Sequence, residues 1–363
     1  MQNFNNKKIL IAPLDWGLGH TTRCISIVRL LLDKGFSIIV ASNAIQKELL
    51  QKEFENVAFL PLKGYEITYS KHKRLFPLKL ILQLPKIISR IIYEHRWLQK
   101  TIDTHQIDLV ISDNRFGLFT NKVPCVFITH QLTIKAPFTW LEHLLQKINY
   151  SYINRFSQCW VPDYAGDKNI AGVLSHPEKL PAIPVHYIGP LARFVKEDKA
   201  IIRYQYCIIL SGPEPQRTIL EDSILRQLPS ISSSILLVRG KLNAPTLEIS
   251  LPNVTIENHL NGLQLQEAIN SSDFVITRSG YTSVMELLAL QKKSILIPTP
   301  GQTEQEYLGK QLMHHHWAYC VEQDVFDLAE ALTIAKEFVY HLPPVEESFL
   351  SSFLDDFLRR FVK

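Results

Sequence analysis

A chain of 363 residues is long enough for two domains, each with a hydrophobic core of its own. Its hydrophobic fraction of 46% and charged fraction of 20% are typical of a folded globular protein, and its net charge of only +4 does not favour nucleic acid as a partner. The five cysteines include no Cys-x-x-Cys pair, so we expect neither a disulfide framework nor a zinc site.

The sequence contains no run of ~18 uninterrupted apolar residues, and its first residues lack the charged-then-apolar order of a signal peptide. We therefore expect a cytoplasmic protein. The run His314, His315 and His316 has no second group of ligands at a metal-binding spacing, so we expect a solvated helix end there and no metal site.

Residues 8–13 are predicted to form a first buried strand, followed by a loop with two glycines and then a helix. The glycines match the start of a dinucleotide fingerprint, but its third glycine and the acidic residue after the second strand, at 38–41, are missing, so NAD is not expected. His20 ends the loop, with Gly19 and Thr21 beside it on what we expect to be the acceptor side. A histidine there could act as general base on an acceptor hydroxyl. The alternative is a histidine that only caps the helix.

Residues 71–100 combine eight lysines and arginines with a single acid, Glu94, and many apolar residues. A basic amphipathic segment of this kind suits an anionic membrane surface. The alternative is a core helix with a solvated basic face.

Further strands of the first domain are predicted near 57–60, 108–112, 124–129 and 158–161, with helices between them, which indicates a doubly wound α/β domain. Polar residues follow two of these strands. Asp113 ends one, and His130 and Gln131 end another, so they are candidates for contact with an acceptor. Structural caps would explain them as well.

A second α/β domain is predicted to begin with a strand at 206–210, which leads into Ser211 and Gly212 and then a helix from about Gln216. The start of such a helix suits an anion, and Arg217 could add positive charge.

The most informative stretch is 277–305, which predicts a strand, a tight turn, a helix over 281–290 and another strand, in other words a βαβ unit. The turn suits a phosphate, and Glu286 lies on the same helix face as Thr282, about 6 Å further along the axis. A nucleoside diphosphate could place its phosphates at the turn and its ribose hydroxyls on Glu286. The alternative is a capping box made by Ser283 and Glu286, which needs no ligand.

This stretch resembles the donor-binding segment of nucleotide-sugar glycosyltransferases with the GT-B fold, and it is most similar to family 28, which includes the peptidoglycan N-acetylglucosaminyltransferase. The residues that carry the resemblance are Arg278, Ser279, Gly280, Thr282, Glu286, Leu287, Ala289, Ile297, Pro298, Pro300, Gln302 and Gln305. The resemblance implies that Glu286 binds ribose, that the Ser279–Gly280 turn binds diphosphate, and that Gln302 and Gln305 face the donor sugar. It also implies a nucleobase near Leu260, a phosphate near Ser211 and Gly212, and a role for the loop that ends in His20.

The fold implied is α/β, with two doubly wound Rossmann-like domains that face each other across a cleft. The function implied is transfer of a hexose such as N-acetylglucosamine from a UDP-sugar to a hydroxyl of a glycan or lipid-linked acceptor. We expect inversion at the anomeric carbon and no metal ion. No cofactor is expected either, since the UDP-sugar is a substrate. Two alternatives stay open: a nucleotide-sugar epimerase and a non-catalytic nucleotide-sugar-binding protein.

The predicted organisation is an acceptor-side domain at 1–190, a linker at 191–203, a donor-side domain at 204–342 and a last helix within 343–363. Phenylalanines spaced by four predict that this helix buries one stripe. The resemblance allows the helix to cross back to the first domain.

Overall fold

The computed structural model describes residues 7–67, 76–136, 138–197, 200–241, 244–245, 247, 249, 251–346 and 348–361. The chain divides into two compact units. The first unit extends to Arg193 and also includes the C-terminal segment from Glu346. The second unit runs from Phe194 to Val345.

The first unit is built on a sheet of seven parallel strands in the order β3-β2-β1-β4-β5-β6-β7. Its five central strands are short, mostly buried apolar runs, as a parallel sheet covered by helices requires, while the two edge strands are only partly buried. The seven strands are β1 (Lys8–Pro13), β2 (Ser37–Ser42), β3 (Ala58–Pro61), β4 (Leu109–Asp113), β5 (Cys125–Ile128), β6 (Gln158–Val161) and β7 (Val185–Tyr187). Its first four helices are α1 (Gly19–Asp33), α2 (Ala44–Glu53), α3 (Phe76–His105) and α4 (Thr139–Ile153).

The second unit has a sheet of six parallel strands in the order β10-β9-β8-β11-β12-β13. Its strands are β8 (Tyr204–Ile209), β9 (Ile235–Val238), β10 (Val254–Glu257), β11 (Ser272–Thr277), β12 (Lys293–Leu296) and β13 (Tyr319–Cys320). Its helices are α5 (Gln216–Gln227), α6 (Gly262–Asn270), α7 (Tyr281–Ala289), α8 (Thr303–His314) and α9 (Leu328–Glu337). The prediction of two doubly wound parallel sheets is confirmed.

The last helix, α10 (Phe349–Phe361), packs on the core of the first unit. The stripe that it buries is not the predicted phenylalanine stripe. Leu350, Leu354 and Leu358 are buried, while Phe353 and Phe357 are half-buried, with their rings edge-on to the buried Trp160. The prediction was wrong by one position because both stripes repeat every four residues, and the leucines, one residue further along, face the sheet.

In each sheet the strand order reverses once, between β1 and β4 in the first unit and between β8 and β11 in the second. Ligands of open α/β sheets bind outside the carboxyl ends of the strands at such a reversal. At these carboxyl ends lie His20 at the start of α1 and Asp113 at the end of β4 in the first unit, and Ser211 and Ser279 in the loops after β8 and β11 in the second.

Candidate functional site

His20 is the second residue of α1, the helix that follows β1 in the chain. Its Nδ1 lies 3.2 Å from the Oδ2 atom of Asp113, which ends β4 on the adjacent strand. The His20 side chain is 14% exposed and that of Asp113 is fully buried. The helix begins after Leu18, and no described side chain caps it. The alternative that His20 only caps the helix is therefore wrong.

Arg23 lies one helical turn after His20 and holds the other side of Asp113. Its Nε donates to Oδ2 of Asp113 over 2.9 Å, and its Nη2 donates to Oδ1. Burial alone would raise the pKa of Asp113, but the charges of Arg23 and His20 and their hydrogen bonds outweigh it and hold that pKa well below its usual range. Asp113 is therefore a carboxylate at any pH at which the protein would work.

The pKa of His20 is lowered from its usual value of 6.5. Burial is the largest cause and the positive charge of Arg23 the next, and both outweigh Asp113, which raises the pKa. His20 is therefore neutral at pH 7. Because its Nδ1 donates to a carboxylate, its Nε2 carries the lone pair and can accept a proton.

The other residues predicted on the acceptor side differ in exposure. Thr21 is fully buried, and its hydroxyl accepts a hydrogen bond from Nε2 of Gln46 over 2.9 Å, so its side chain braces the start of α1 rather than facing a ligand. Asp113, predicted to contact an acceptor, instead supports His20. Gly19 is half-buried at the first position of α1, and Gln131 is half-buried in the loop after β5.

In the second unit the turn after β11 packs against α8. Ser279 is buried and its hydroxyl donates to the carbonyl oxygen of Gln305 over 2.8 Å. A Cβ at Gly280 would lie 3.9 Å from Nε2 of Gln305. Helix α7 begins at Tyr281 with Gly280 as N-cap, and within the described part of the chain no side chain caps it. Ser283 is thus inside the helix, and the predicted alternative of a Ser283–Glu286 capping box is wrong.

The loop after β12 closes on the same place. Oε1 of Gln305 accepts from the Thr299 backbone N–H over 2.9 Å, and its Nε2 donates to Oε1 of Gln302 over 2.6 Å. The Thr299 side chain is buried, and its hydroxyl has no hydrogen-bond partner among the described residues. That hydroxyl is the nearest atom, at 3.9 Å, to the position of a Cβ on Gly212. The structure thus brings together the predicted segments around Gly212, Gly280 and Gln302.

Arg278 makes its hydrogen bonds to backbone carbonyl oxygens of the second unit. It is 2% exposed, and burial lowers its pKa to about 10. Its guanidinium donates to the carbonyl oxygens of Gln216, Ile297 and Pro298. Arg278 therefore ties the loops after β8, β11 and β12 to one another.

Arg217 also has a different environment from the predicted one. It is buried, its Nε donates to Glu214 over 2.8 Å and its Nη1 donates to Glu221 over 3.2 Å. Glu221 also pairs with Arg239 and with Lys241. Because acidic neighbours neutralise it, Arg217 holds the β8–α5 loop against the end of β9 instead of offering its charge to a phosphate.

Glu286 is 7% exposed on α7, one helical turn after the half-buried Thr282. Leu260 is half-buried in the loop after β10, beside Asn261, the N-cap of α6. No group of three or more potential metal-ligating side chains occurs in the described ranges.

The family model of the glycosyltransferase family 28 C-terminal domain matches residues 215–337. The second unit carries a family 28 glycosyltransferase domain. This match covers Glu286, Gln302 and Gln305 and confirms the resemblance predicted from the sequence.

Similarity to glycosyltransferases extends over both units. A relative from Methanosarcina acetivorans named as an uncharacterized glycosyltransferase is 26% identical over 327 residues, which cover 82% of this chain and 81% of the relative. A Clostridium tetani transferase, named for moving N-acetylglucosamine from UDP-N-acetylglucosamine to N-acetylmuramyl-(pentapeptide) pyrophosphoryl-undecaprenol, is 26% identical over 310 residues, 80% of this chain and 78% of that protein.

Solved structures of glycosyltransferases share the fold of the whole chain. The glycosyltransferase of kitacinnamycin superposes with a TM-score of 0.66 at 11% identity, covering 98% of this chain and 99% of that one. The fold is therefore GT-B, and together the comparisons identify a glycosyltransferase of the family 28 type.

Sequence reasoning missed Arg23, the residue that joins Asp113 to His130. A signal was present: Arg23 follows His20 by three residues, which places both on one face of α1.

Proposed function

We propose that the protein transfers a hexose from a UDP-sugar to an acceptor hydroxyl, with inversion at the anomeric carbon. The observation that carries the proposal is the hydrogen bond between His20 and the buried Asp113 at the strand reversal of the first sheet. A general base is needed to activate an acceptor hydroxyl, and it is not needed to bind a nucleotide sugar.

In the proposed reaction Nε2 of His20 takes the proton of the acceptor hydroxyl. The acceptor oxygen bonds to the anomeric carbon from the face opposite the diphosphate. The bond between that carbon and the diphosphate oxygen then breaks, and UDP leaves with the electron pair. Because His20 must be neutral, we expect the rate to fall as the pH drops through its lowered pKa.

The second unit supplies the donor half of the proposal. The positive end of the α7 dipole, the Ser279–Gly280 turn and the loop at Ser211 and Gly212 favour the charge that develops on the departing diphosphate. The Glu286 carboxylate binds the ribose hydroxyls, Leu260 lies toward the base, and Gln302 and Gln305 face the sugar. No metal ion and no cofactor takes part in this proposal. N-acetylglucosamine is the proposed hexose because the Clostridium tetani relative is named for it.

For the acceptor we propose a glycan or a lipid-linked saccharide at an anionic membrane surface. Two helices of the first unit expose apolar side chains four residues apart. They are Leu84, Ile88 and Ile92 on α3 and Trp140, Leu144 and Ile148 on α4. Ile87 and Ile91 of α3 and Tyr152 of α4 belong to one apolar cluster.

Exposed basic residues, among them Arg96, Lys100 and Lys147, accompany these stripes. Such a surface binds a bilayer reversibly from the cytoplasmic side. Of the helices that the structure describes, none is long and apolar enough to span one. Residues 71–75, the most basic part of the predicted segment, lie outside the described residues.

Sedimentation with vesicles tests the membrane part of the proposal. Wild-type protein should sediment with phosphatidylglycerol vesicles and not with phosphatidylcholine vesicles, and Ile88→Asp with Trp140→Asp should abolish this. Equal recovery of the wild type and the double variant with phosphatidylglycerol would refute the membrane surface.

Calorimetry with UDP, GDP, ADP and dTDP tests the donor site. We expect selective binding of UDP that weakens at least tenfold, about 1.4 kcal/mol, in Glu286→Ala. The control is Glu337→Ala, because Glu337 is an exposed carboxylate on α9 of the same unit. Binding of UDP that is indifferent to Glu286, or no binding of any nucleotide, would refute the donor site.

A further inference from the structure

The proposed reaction does not use Arg23, a buried arginine of the first unit. Arg23 is 1% exposed and is among the largest fully buried side chains of the chain. Taking a guanidinium out of water costs several kcal/mol unless all its partners are well placed. Arg23 is buried within one helical turn of His20, so its contacts can influence the proposed base.

Three contacts of Arg23 join it to two different side chains. Nε and Nη2 grip both oxygens of Asp113, and Nη1 lies 2.8 Å from Nδ1 of His130. A guanidinium only donates hydrogen bonds, so Nδ1 of His130 must accept and the ring proton of neutral His130 must be on Nε2. Asp113 only accepts, so the ring proton of neutral His20 must be on Nδ1.

Arg23 is thus connected to two histidines of opposite tautomer, whose ring centroids are 6.4 Å apart. His20 presents Nε2 as a proton acceptor, and His130 carries its proton on Nε2. A lysine could balance the charge of Asp113, but it lacks the planar fork that makes three directed bonds to two partners.

We propose that Arg23 is the positioning residue of the His20 group, which fixes His20 as the base through Asp113 and fixes His130 in the opposite tautomer. The proposal deepens the proposed function and rests on it for the role of His20. The tautomers themselves follow from the contacts of Arg23, whatever the substrate.

The groups that act electrostatically on His20 come from three places in the unit. Arg23 is on its own helix, Asp113 ends β4 and His130 follows β5. The Cys24 thiol contacts Asp113 as well, and burial raises its pKa well above the usual value, so it stays neutral. Arg23 and His130 lower the pKa of His20, and Asp113 raises it. Loss of the Arg23 charge therefore raises the pKa of His20.

The first experiment uses the wild-type protein and needs no substrate. Two-bond proton–nitrogen NMR correlations of the imidazole rings at pH 7.5, assigned with His20→Gln and His130→Gln, report which nitrogen carries each proton. We expect a protonated Nδ1 on His20 and a protonated Nε2 on His130. A protonated Nδ1 on His130, or His20 protonated on Nε2 alone, would overturn the proposal, and neither result bears on whether the protein transfers sugar.

The second experiment titrates His20 by NMR in Arg23→Met, Arg23→Lys and Arg29→Met. Arg29 is a half-exposed arginine on the same helix, paired with Glu53 at 3.6 Å, and its variant should titrate like the wild type. We expect the midpoint of His20 to rise by about one pH unit, tenfold in proton affinity, in Arg23→Met. In Arg23→Lys the midpoint should stay while the single tautomer of His130 is lost.

A folded Arg23→Met protein with the wild-type midpoint would refute the electrostatic part. If Arg23→Met does not fold, the test rests on Arg23→Lys. Unchanged tautomers of both histidines in Arg23→Lys would show that the planar guanidinium is not needed and would refute the proposal. Where UDP-N-acetylglucosamine is turned over, the acid limb of kcat should move with the His20 midpoint while the KM for the donor stays the same. A purely structural arginine would lower stability without moving that limb.

Discussion

Replacement of Asp113 by asparagine keeps the shape of the side chain and removes its charge. Arg23 then remains buried, at 1% exposure, without its carboxylate partner. Breaking a buried ion pair in this way costs about 3–5 kcal/mol, a large part of the ~5–15 kcal/mol that separates most folded and unfolded domains. We expect Asp113→Asn to lower the free energy of unfolding of the first unit by that amount at pH 7.

The pH dependence of this loss has a definite sign. The pKa of Asp113 is depressed in the folded state, so its contribution to stability is complete above the unfolded value of ~3.9 and is lost as the pH falls toward the folded value. The difference between the wild type and Asp113→Asn should therefore shrink below about pH 4.

Urea unfolding followed by tryptophan fluorescence measures the difference, and the buried Trp160 of the same core contributes to that signal. Asp103→Asn is the matched control. Asp103 pairs with Lys122 at 2.6 Å, but the two side chains are 64% and 46% exposed, so its loss should cost less than about 1 kcal/mol. Equal midpoints for Asp113→Asn and the wild type at pH 7 would refute the reasoning that the pair is intact and buried.

Two further predictions concern packing. Leu354→Ala should lower the free energy of unfolding of the first unit by about 2–5 kcal/mol, because Leu354 is fully buried, and thermal unfolding of that unit would show it; an unchanged melting temperature would mean that α10 is not part of the core. Gly309→Ala should destabilise the second unit by about 1–3 kcal/mol in urea, although alanine usually favours a helix over glycine, since its Cβ would lie 2.5 Å from Sγ of Cys320 and 3.1 Å from Cγ of Pro298. A gain in stability at that position would contradict the close packing of α8.

The sheets could be predicted from the sequence because each central strand is a short apolar run that can be recognised from its own residues. Residues 8–13 and 158–161 were predicted with the bounds that the structure has. The edge strands β7 and β13, of three and two residues, were not predicted. Strands that short have no periodicity to recognise, and their neighbours in the sheet decide whether they form.

The site was predictable where it depends on local motifs and not where it depends on distant contacts. The turn at Gly280 was found because strand, turn and helix follow one another in the chain. The ion pair of Arg23 with Asp113 joins positions 90 residues apart, so no pattern near either residue indicates it. The contacts of Arg278 could not be predicted either, since its three carbonyl partners lie in other parts of the chain. The motif alone led to the expectation that Arg278 contacts the donor.

The return of α10 to the first unit has a consequence for how the chain is made. Leu350, Leu354 and Leu358 complete the first core, yet they are translated after the whole of the second unit. Domains usually fold in the order in which they leave the ribosome. Here the second unit can complete its folding first. The core of the first unit stays incomplete until α10 has been synthesised. A chain cut short before Glu346 would therefore be damaged in its first unit, although the missing residues follow the second.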